Sequence, residues 1–87
     1  MTEYLVTFTA SAKIELRDLP FEVIGWLLPR IRELSGNPRP AGCKKLRGYK
    51  DYWRIRVGNY RVVYAIDDAR KVVDIRRVAH RNEVYEA

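Results

Sequence analysis

The sequence predicts an α+β domain in which two N-terminal helices pack on one face of a twisted antiparallel β-sheet. Three observations support this: a β-like segment opens the chain, two amphipathic helical segments follow it, and the second half holds several short β-like segments. The expected order is strand, two helices, then three or four antiparallel strands. With 87 residues, the chain is long enough for one domain, residues 1–87, around a small core.

The first strand is expected at residues 4–9, where YLVTFT is rich in β-branched and aromatic residues. A helix is expected from about Ala10, with Thr9 or Ser11 as its N-cap. Its apolar side comprises Ala12, Leu16 and Leu19. Pro20 ends this helix and, because proline suits the first turn of a helix, also starts a second one.

The second helix has apolar residues at three- and four-residue steps. They are Phe21, Ile24, Leu28 and Ile31, and Leu27 and Leu34 broaden the stripe. The Gly-Asn-Pro sequence at residues 36–38 ends the helix. Pro29 lies inside it, where the ring clashes with the carbonyl group of Gly25. We therefore expect a kink near residues 25–29, or two shorter helical pieces.

The segment YWRIRVGNYRVVY, residues 52–64, predicts a β-hairpin, because Gly-Asn is one of the accepted two-residue loops. A loop of two residues, Gly58 and Asn59, also predicts the register. Val57 is then opposite Tyr60, Arg56 opposite Arg61, Ile55 opposite Val62, Arg54 opposite Val63, and Trp53 opposite Tyr64. Because side chains alternate along a strand, one face of the hairpin is apolar and suited to a core. The other face, called the basic face below, carries Tyr52, Arg54, Arg56 and Arg61.

Arg56 and Arg61 are directly opposed in this register, and like charges at facing positions cost roughly 0.2–1 kcal/mol. A single arginine on a sheet surface simply extends into water. Arginines at three positions of one small face instead indicate that the face binds an anion.

Two further segments complete the predicted sheet. CKKLRG, residues 43–48, predicts a short strand, and residues 71–78 predict the last strand after a polar turn at residues 67–70. The side chains expected to be exposed on the short strand are Lys44, Lys45 and Arg47. On the last strand, Val73 and Ile75 are expected on one face and Val72 and Val78 on the other.

The net charge of +6 is placed unevenly along the chain. Residues 1–43 hold five basic and five acidic side chains, whereas residues 44–87 hold twelve basic and six acidic ones. Such a concentration points to a polyanion, most often a nucleic acid, or to an acidic protein partner. The 47% of hydrophobic residues excludes a disordered chain, and no apolar run approaches the roughly 20 residues of a membrane helix. We expect a soluble protein with no membrane partner.

Cys43 is the only cysteine, and the N-terminal segment lacks the features of a signal peptide, so we expect a cytoplasmic protein. A nucleophilic Cys43 would need His80, the single imidazole, and we interpret Cys43 as a packed thiol. The sequence shows neither a metal-ligand spacing nor a glycine-rich phosphate loop. We therefore expect neither a metal site nor a cofactor.

The tail AHRNEVYEA supplies groups that bind charge or move protons, namely His80, Arg81 and Tyr85. By composition the tail is ambiguous, because a terminal tyrosine is often an aromatic side chain docked on a sheet. Together with the basic face, these residues suit the cleavage of RNA by its own 2′-hydroxyl group. That reaction needs cationic donors around the phosphate, a base for the hydroxyl and an acid for the leaving oxygen.

The segments KLRGYKDYWRIRVGNYRVVYAID and VAHRNEVY, in this order, resemble the RelE side of the RelE/ParE toxin superfamily. With the preceding strand and helices, the resemblance covers nearly the whole chain. It implies a toxin of a type II toxin-antitoxin system that cleaves mRNA in the ribosomal A site and inhibits translation. It also implies a cognate antitoxin that holds the toxin inactive, and the twisted sheet with two helices predicted above.

The resemblance implies roles for individual residues. Arg61 matches an arginine that stabilises the scissile phosphate, Arg81 an arginine near the leaving 5′-oxygen, and Tyr85 a tyrosine proposed as the base. Arg54 and Arg56 match positions that are lysines in the best-known RelE toxin. Because a guanidinium group keeps its proton, His80 is chemically better suited than Arg81 as the proton donor, and both remain candidates. Lys44, Lys45 and Arg47 are expected to add to RNA binding.

Two alternatives remain open. A toxin of the ParE side shares this fold but acts on DNA gyrase and lacks the set formed by Arg61, Arg81 and Tyr85. A binding module would use the basic face only to hold RNA, without cutting it. Cleavage of mRNA separates the three functions.

Overall fold

A computed structural model describes residues 3–80 of the chain, and it confirms the α+β class with two helices. The elements are β1 (Leu5–Phe8), α1 (Ala10–Arg17), α2 (Phe21–Glu33), β2 (Lys44–Lys45), β3 (Tyr52–Val57), β4 (Tyr60–Asp67) and β5 (Val72–His80). The predicted order of strand, two helices and further strands is therefore correct, and four strands follow the helices.

The strands form a single five-stranded sheet in the order β1-β5-β4-β3-β2. Three of the four neighbouring pairs are antiparallel, as expected, whereas β1 runs parallel to β5, with Leu5 beside Val72 and Phe8 beside Ile75. The sheet is thus mixed. The pairing of the first strand with the last joins segments far apart in sequence, and local patterns do not specify its direction.

Helix α1 begins as expected after Thr9, whose Oγ1 atom accepts a hydrogen bond from the Ala12 amide at 3.1 Å. Helix α2 begins directly after Pro20 and is continuous over Phe21–Glu33, with Pro29 inside it, so the expected division into two pieces does not occur. Its buried stripe also differs from the expected one. The buried side chains are Val23, Leu27, Ile31 and Leu34, Ile24 and Leu28 are half-buried, and Phe21 is 89% exposed.

The main core lies between the two helices and one face of the sheet. Ala12 of α1 and the buried stripe of α2 pack with sheet residues in one cluster. The sheet contributes Ile55, Val57, Val62, Tyr64, Ile66, Val73, Ile75 and Val78. Cys43 packs against this cluster, which fits the interpretation of a packed thiol. Both helices therefore cover the same face of the sheet, as predicted.

A β-bulge in β5 changes the expected sides of that strand. Val63 pairs with Arg77, whereas the next residue, Tyr64, pairs with Ile75, so β5 contains one additional residue at this point. As a result, Val78 lies in the main core with Ile75, and the prediction that it faces the other side is wrong. Strict alternation along the sequence predicts the opposite face because it assumes an unbroken ladder.

Candidate active site

The β3–β4 hairpin has the predicted register at each of the five predicted facing pairs, including Arg56 opposite Arg61, and a sixth pair joins Tyr52 and Ala65. Gly58 adopts a positive φ of 59° in the two-residue loop, a conformation that glycine adopts at low cost. The turn and the alternation of side chains thus place the two guanidinium groups on the same side of the sheet, at the hairpin tip.

A hollow of about 130 Å³ lies at this tip, with room for roughly four water molecules. It is lined by Arg56, Gly58, Tyr60 and Arg61. Arg56 is exposed and Arg61 is half-buried, so both side chains border a site that solvent reaches. An anion in this hollow would offset the repulsion between the two cations, which is the arrangement expected for phosphate binding.

Arg54 differs from its two neighbours on the basic face. Its relative exposure is 1%, and it is the one charged or polar residue among those buried in residues 3–80. On the same side of the sheet, Leu46, Val63 and Ala79 form a second small buried cluster. The basic face is therefore only partly open to solvent. Arg54 contributes charge from beneath the surface, and of the three arginines only Arg56 and Arg61 are accessible to a ligand.

His80 ends β5, where it pairs with Tyr60 and makes an edge-to-face contact with that ring at 5.4 Å between centroids. Arg61 pairs instead with Ala79. Because successive residues of a strand point to opposite faces, this register directs His80 and Arg61 to opposite sides of the sheet. The two remaining predicted site residues, Arg81 and Tyr85, lie outside the described residues.

The predicted cations of β2 are exposed, but they do not share one face. Lys44 pairs with Arg54 and Lys45 pairs with Trp53, so only Lys44 lies on the side of the basic face. Arg47 is exposed in the turn that follows β2.

Across residues 3–80, no group of three or more His, Cys, Asp or Glu side chains is placed to hold a metal ion. Neither helix is long and apolar enough to cross a membrane.

The model of a protein family described as the ParE toxin of type II toxin-antitoxin systems matches residues 6–85. Toxin RelG of Mycobacterium tuberculosis is 34% identical over 83 residues, which cover 94% of this chain and 95% of that protein. The chain belongs to the RelE/ParE superfamily of toxins. Toxin RelE3 of Methanocaldococcus jannaschii is 46% identical to this toxin, and the match covers 86% of this toxin and 91% of RelE3.

Solved structures of RelE proteins share the fold of the toxin. A chain of the M. tuberculosis RelBE2 toxin-antitoxin complex superposes with a TM-score of 0.80 at 33% identity, over 91% of this chain and 99% of that one. A chain of the archaeal RelE-RelB complex of Pyrococcus horikoshii gives a TM-score of 0.80 at 29% identity, over 97% of this chain and 100% of that one. The isolated RelE toxin of E. coli gives 0.78 at 32% identity, over 88% and 83%.

Sequence reasoning missed an aromatic column in the toxin. The Tyr49 and Tyr52 rings stack with centroids 5.1 Å apart and an angle of 12° between their planes. The guanidinium carbon of Arg76 also lies 5.5 Å from the Tyr52 centroid. The YKDY spacing at residues 49–52 was a visible signal, but only the pairing of β4 with β5 brings Arg76 to it.

In a second charged cluster of the toxin, the Arg39 guanidinium group and the Asp68 carboxylate neutralise each other. Arg39 binds Asp68 through both of its terminal nitrogens, at 2.8 and 3.3 Å, and the Tyr4 hydroxyl donates to the same carboxylate at 2.5 Å. The Arg39 hydrogen bonds, followed by that of Tyr4, lower the pKa of Asp68 to about 2. Arg39 also lies 5.0 Å from the Trp53 ring. This cluster fastens the loop after α2 to the β4–β5 turn.

Proposed function

We propose that the toxin is an endoribonuclease that cleaves mRNA in the ribosomal A site and thereby stops translation. The observation that carries the proposal is the facing pair of Arg56 and Arg61 beside a solvent-accessible hollow. Like charges at facing strand positions repel each other, and a phosphate bound between them offsets the repulsion and accepts charge-assisted hydrogen bonds from both guanidinium groups. The RelE and RelG names of the relatives support a toxin of this kind.

The proposed reaction is an attack of the 2′-oxygen on the adjacent phosphorus atom. The bond from phosphorus to the 5′-oxygen breaks, which leaves a 2′,3′-cyclic phosphate and a 5′-hydroxyl group. Negative charge grows on the non-bridging oxygens in the transition state. Cations fixed by the hairpin in advance stabilise that charge without reorganising, and Arg61 and Arg56 are assigned this role.

The proton transfers belong to the tail in this proposal. Tyr85 takes the proton of the 2′-hydroxyl group, and Arg81 or His80 serves the leaving 5′-oxygen, the roles that the resemblance implies. The contact of His80 with Tyr60, on the other side of the sheet from Arg61, favours a supporting role for His80 in shaping the hairpin tip. Arg81 is then the preferred residue for stabilising the negative charge of the leaving oxygen, which takes its proton from water because a guanidinium group keeps its own.

We also propose that a cognate antitoxin protein controls the toxin. The structural relatives include RelB-RelE complexes from bacteria and archaea. The excess of positive charge in residues 44–87 favours an acidic segment of the partner, which would cover the basic face and compete with mRNA.

Primer extension on a reporter mRNA tests the function, with purified ribosomes stalled at a codon whose A site is vacant. The expected result is a cut inside that codon, a 2′,3′-cyclic phosphate at the upstream end, and no cut in the same mRNA without ribosomes. A single deoxyribose at the attacked position is the matched control and should abolish the cut, because it removes the nucleophile.

The ParE name of the family model favours DNA gyrase as the second candidate target. A supercoiling assay with gyrase separates the two functions. Uncut mRNA together with trapped gyrase-DNA complexes would show that the second candidate is correct. Tight RNA binding with neither outcome would identify a binding module.

A further inference from the structure

The aromatic column of Tyr49, Tyr52 and Arg76 has one ring that solvent reaches. Tyr49 is 48% exposed, whereas Tyr52 beneath it is half-buried against the small cluster of Leu46, Val63 and Ala79. Arg76, over the Tyr52 ring, is held by Asp74, whose carboxylate lies 3.0 Å from its Nη1 atom. Tyr52 is thus packed against the sheet, and Tyr49, stacked on it, presents a ring to solvent.

The turn that carries Tyr49 is fixed by its backbone. The Leu46 amide donates to the Tyr52 carbonyl at 2.9 Å, and the Ile66 amide donates to the Asp51 carbonyl at 3.0 Å. Within this turn Gly48 and Asp51 have positive φ values of 78° and 63°. A left-handed conformation at a non-glycine residue such as Asp51 is uncommon, and it persists only where the surroundings enforce it. The exposed ring is therefore presented in a defined position.

The column stands on the same side of the sheet as the proposed phosphate site. Tyr52 and Arg56 alternate along β3 on the basic face, four residues apart, which corresponds to about 13 Å at the usual rise of a strand. One nucleic acid strand advances about 3.4 Å per nucleotide when its bases are stacked, so this spacing corresponds to about four nucleotides. The Tyr49 ring is one stacking distance, 5.1 Å, from Tyr52. One strand of RNA can reach both.

We propose that Tyr49 is a stacking platform for one base of the mRNA, within a few nucleotides of the cleaved phosphate. This inference rests on the proposed function and adds a binding residue to it. Aromatic side chains beside cationic ones are the usual means of holding single-stranded RNA, because every base presents a flat face. Bases of the P-site codon are paired with tRNA, so the base on Tyr49 belongs to the A-site codon or to the nucleotides after it.

The test combines protein variants with mRNAs that each lack one base. Reporter mRNAs carry a single abasic nucleotide at each position of the A-site codon and of the next three nucleotides, and cleavage rates are measured on purified ribosomes. For the wild-type toxin we expect one position at which the abasic site slows cleavage about tenfold. Tyr49→Ala should cleave the intact mRNA about tenfold more slowly and show no further loss at that position.

Three variants separate stacking from a structural role. Tyr49→Phe keeps the ring and should retain the sensitivity of the wild type, whereas Tyr49→Leu keeps an apolar side chain over Tyr52 and should behave like Tyr49→Ala. Phe21→Ala removes an exposed ring from the helices and should leave the pattern unchanged. Circular dichroism checks that each variant is folded, and Tyr49→Leu replaces Tyr49→Ala if the latter is not.

The outcomes distinguish this inference from the function on which it rests. If the wild-type toxin does not cut mRNA, both are wrong. If it cuts but no abasic position slows it, or if Tyr49→Leu keeps the full sensitivity, the stacking platform is wrong and the nuclease function stands. Loss of the sensitivity in Tyr49→Leu, with retention in Tyr49→Phe, supports both.

Discussion

The two faces of the β3–β4 hairpin are built from the same two strands and serve different ends. On the helix-covered face, Ile55, Val57, Val62 and Tyr64 are all buried, with exposures from 0% to 8%. On the basic face, Arg54 is buried while Arg56 is exposed and Arg61 is half-buried. Charge on a strand therefore does not identify a binding residue by itself. The first face supplies stability, and the second divides into a buried part and an accessible part.

The largest expected effect comes from Arg61→Ala. Removal of one preorganised donor from a developing oxyanion typically lowers the catalytic rate by about 100- to 1,000-fold, and we expect a loss of that size in A-site cleavage. The midpoint of urea unfolding should not fall much, because the change also relieves the repulsion with Arg56. Arg70→Ala, in the exposed β4–β5 turn, is the matched control and should cleave normally. Equal losses in the two variants would mean that net charge, rather than position, determines activity.

Leu27→Ala tests the helix-covered face of the sheet. Leu27 is fully buried between α2 and the sheet, so truncation should lower the free energy of unfolding by about 2–5 kcal/mol. The cleavage rate, corrected for the folded fraction, should stay near that of the wild type. Leu5→Ala, at a side chain that is 65% exposed, should cost much less. A rate that collapses in folded Leu27→Ala protein would show that the two faces are not separable.

Arg54→Gln and Arg56→Gln sharpen the division within the basic face. Arg54→Gln replaces a buried side chain and should cost about 1–3 kcal/mol of unfolding free energy. Arg56→Gln relieves the repulsion with Arg61 and should gain roughly 0.2–1 kcal/mol while it slows cleavage. Chemical denaturation of both variants in parallel gives the sign of each change in unfolding free energy. The same sign in both variants would refute the division of the basic face into a buried and an accessible part.

The smallest expected effect concerns Asp68, in the cluster with Arg39 and Tyr4. Its folded-state pKa of about 2 is below the usual 3.8, so its carboxylate stabilises the fold above about pH 4, and this contribution is lost as the pH falls through 2. Asp68→Asn should therefore lower the Tm at pH 6 and have little effect at pH 2. Thermal denaturation at the two pH values checks this, and an equal shift at both would exclude the carboxylate as the cause.

Local patterns in the sequence were sufficient for the hairpin that carries the candidate site. The Gly58-Asn59 loop predicted the register of the hairpin, because a two-residue turn leaves a single way to pair the strands. Arg56 and Arg61 were brought together as expected. Local patterns did not predict the burial of Arg54, whose side of the sheet also holds the buried cluster of Leu46, Val63 and Ala79, from three separate segments of the chain.

By itself, the sequence determined the class of fold, the start of each helix, the hairpin register and the facing pair of arginines. These features depend on caps, turns and alternation, which act between residues that are close in the chain. Only the tertiary structure decided the parallel pairing of β1 with β5, the bulge that turns Val78 into the core and the stripe of α2 that is buried. It also brought Arg76 to Tyr52. Each of these depends on contacts between distant segments, whose geometry no local pattern specifies.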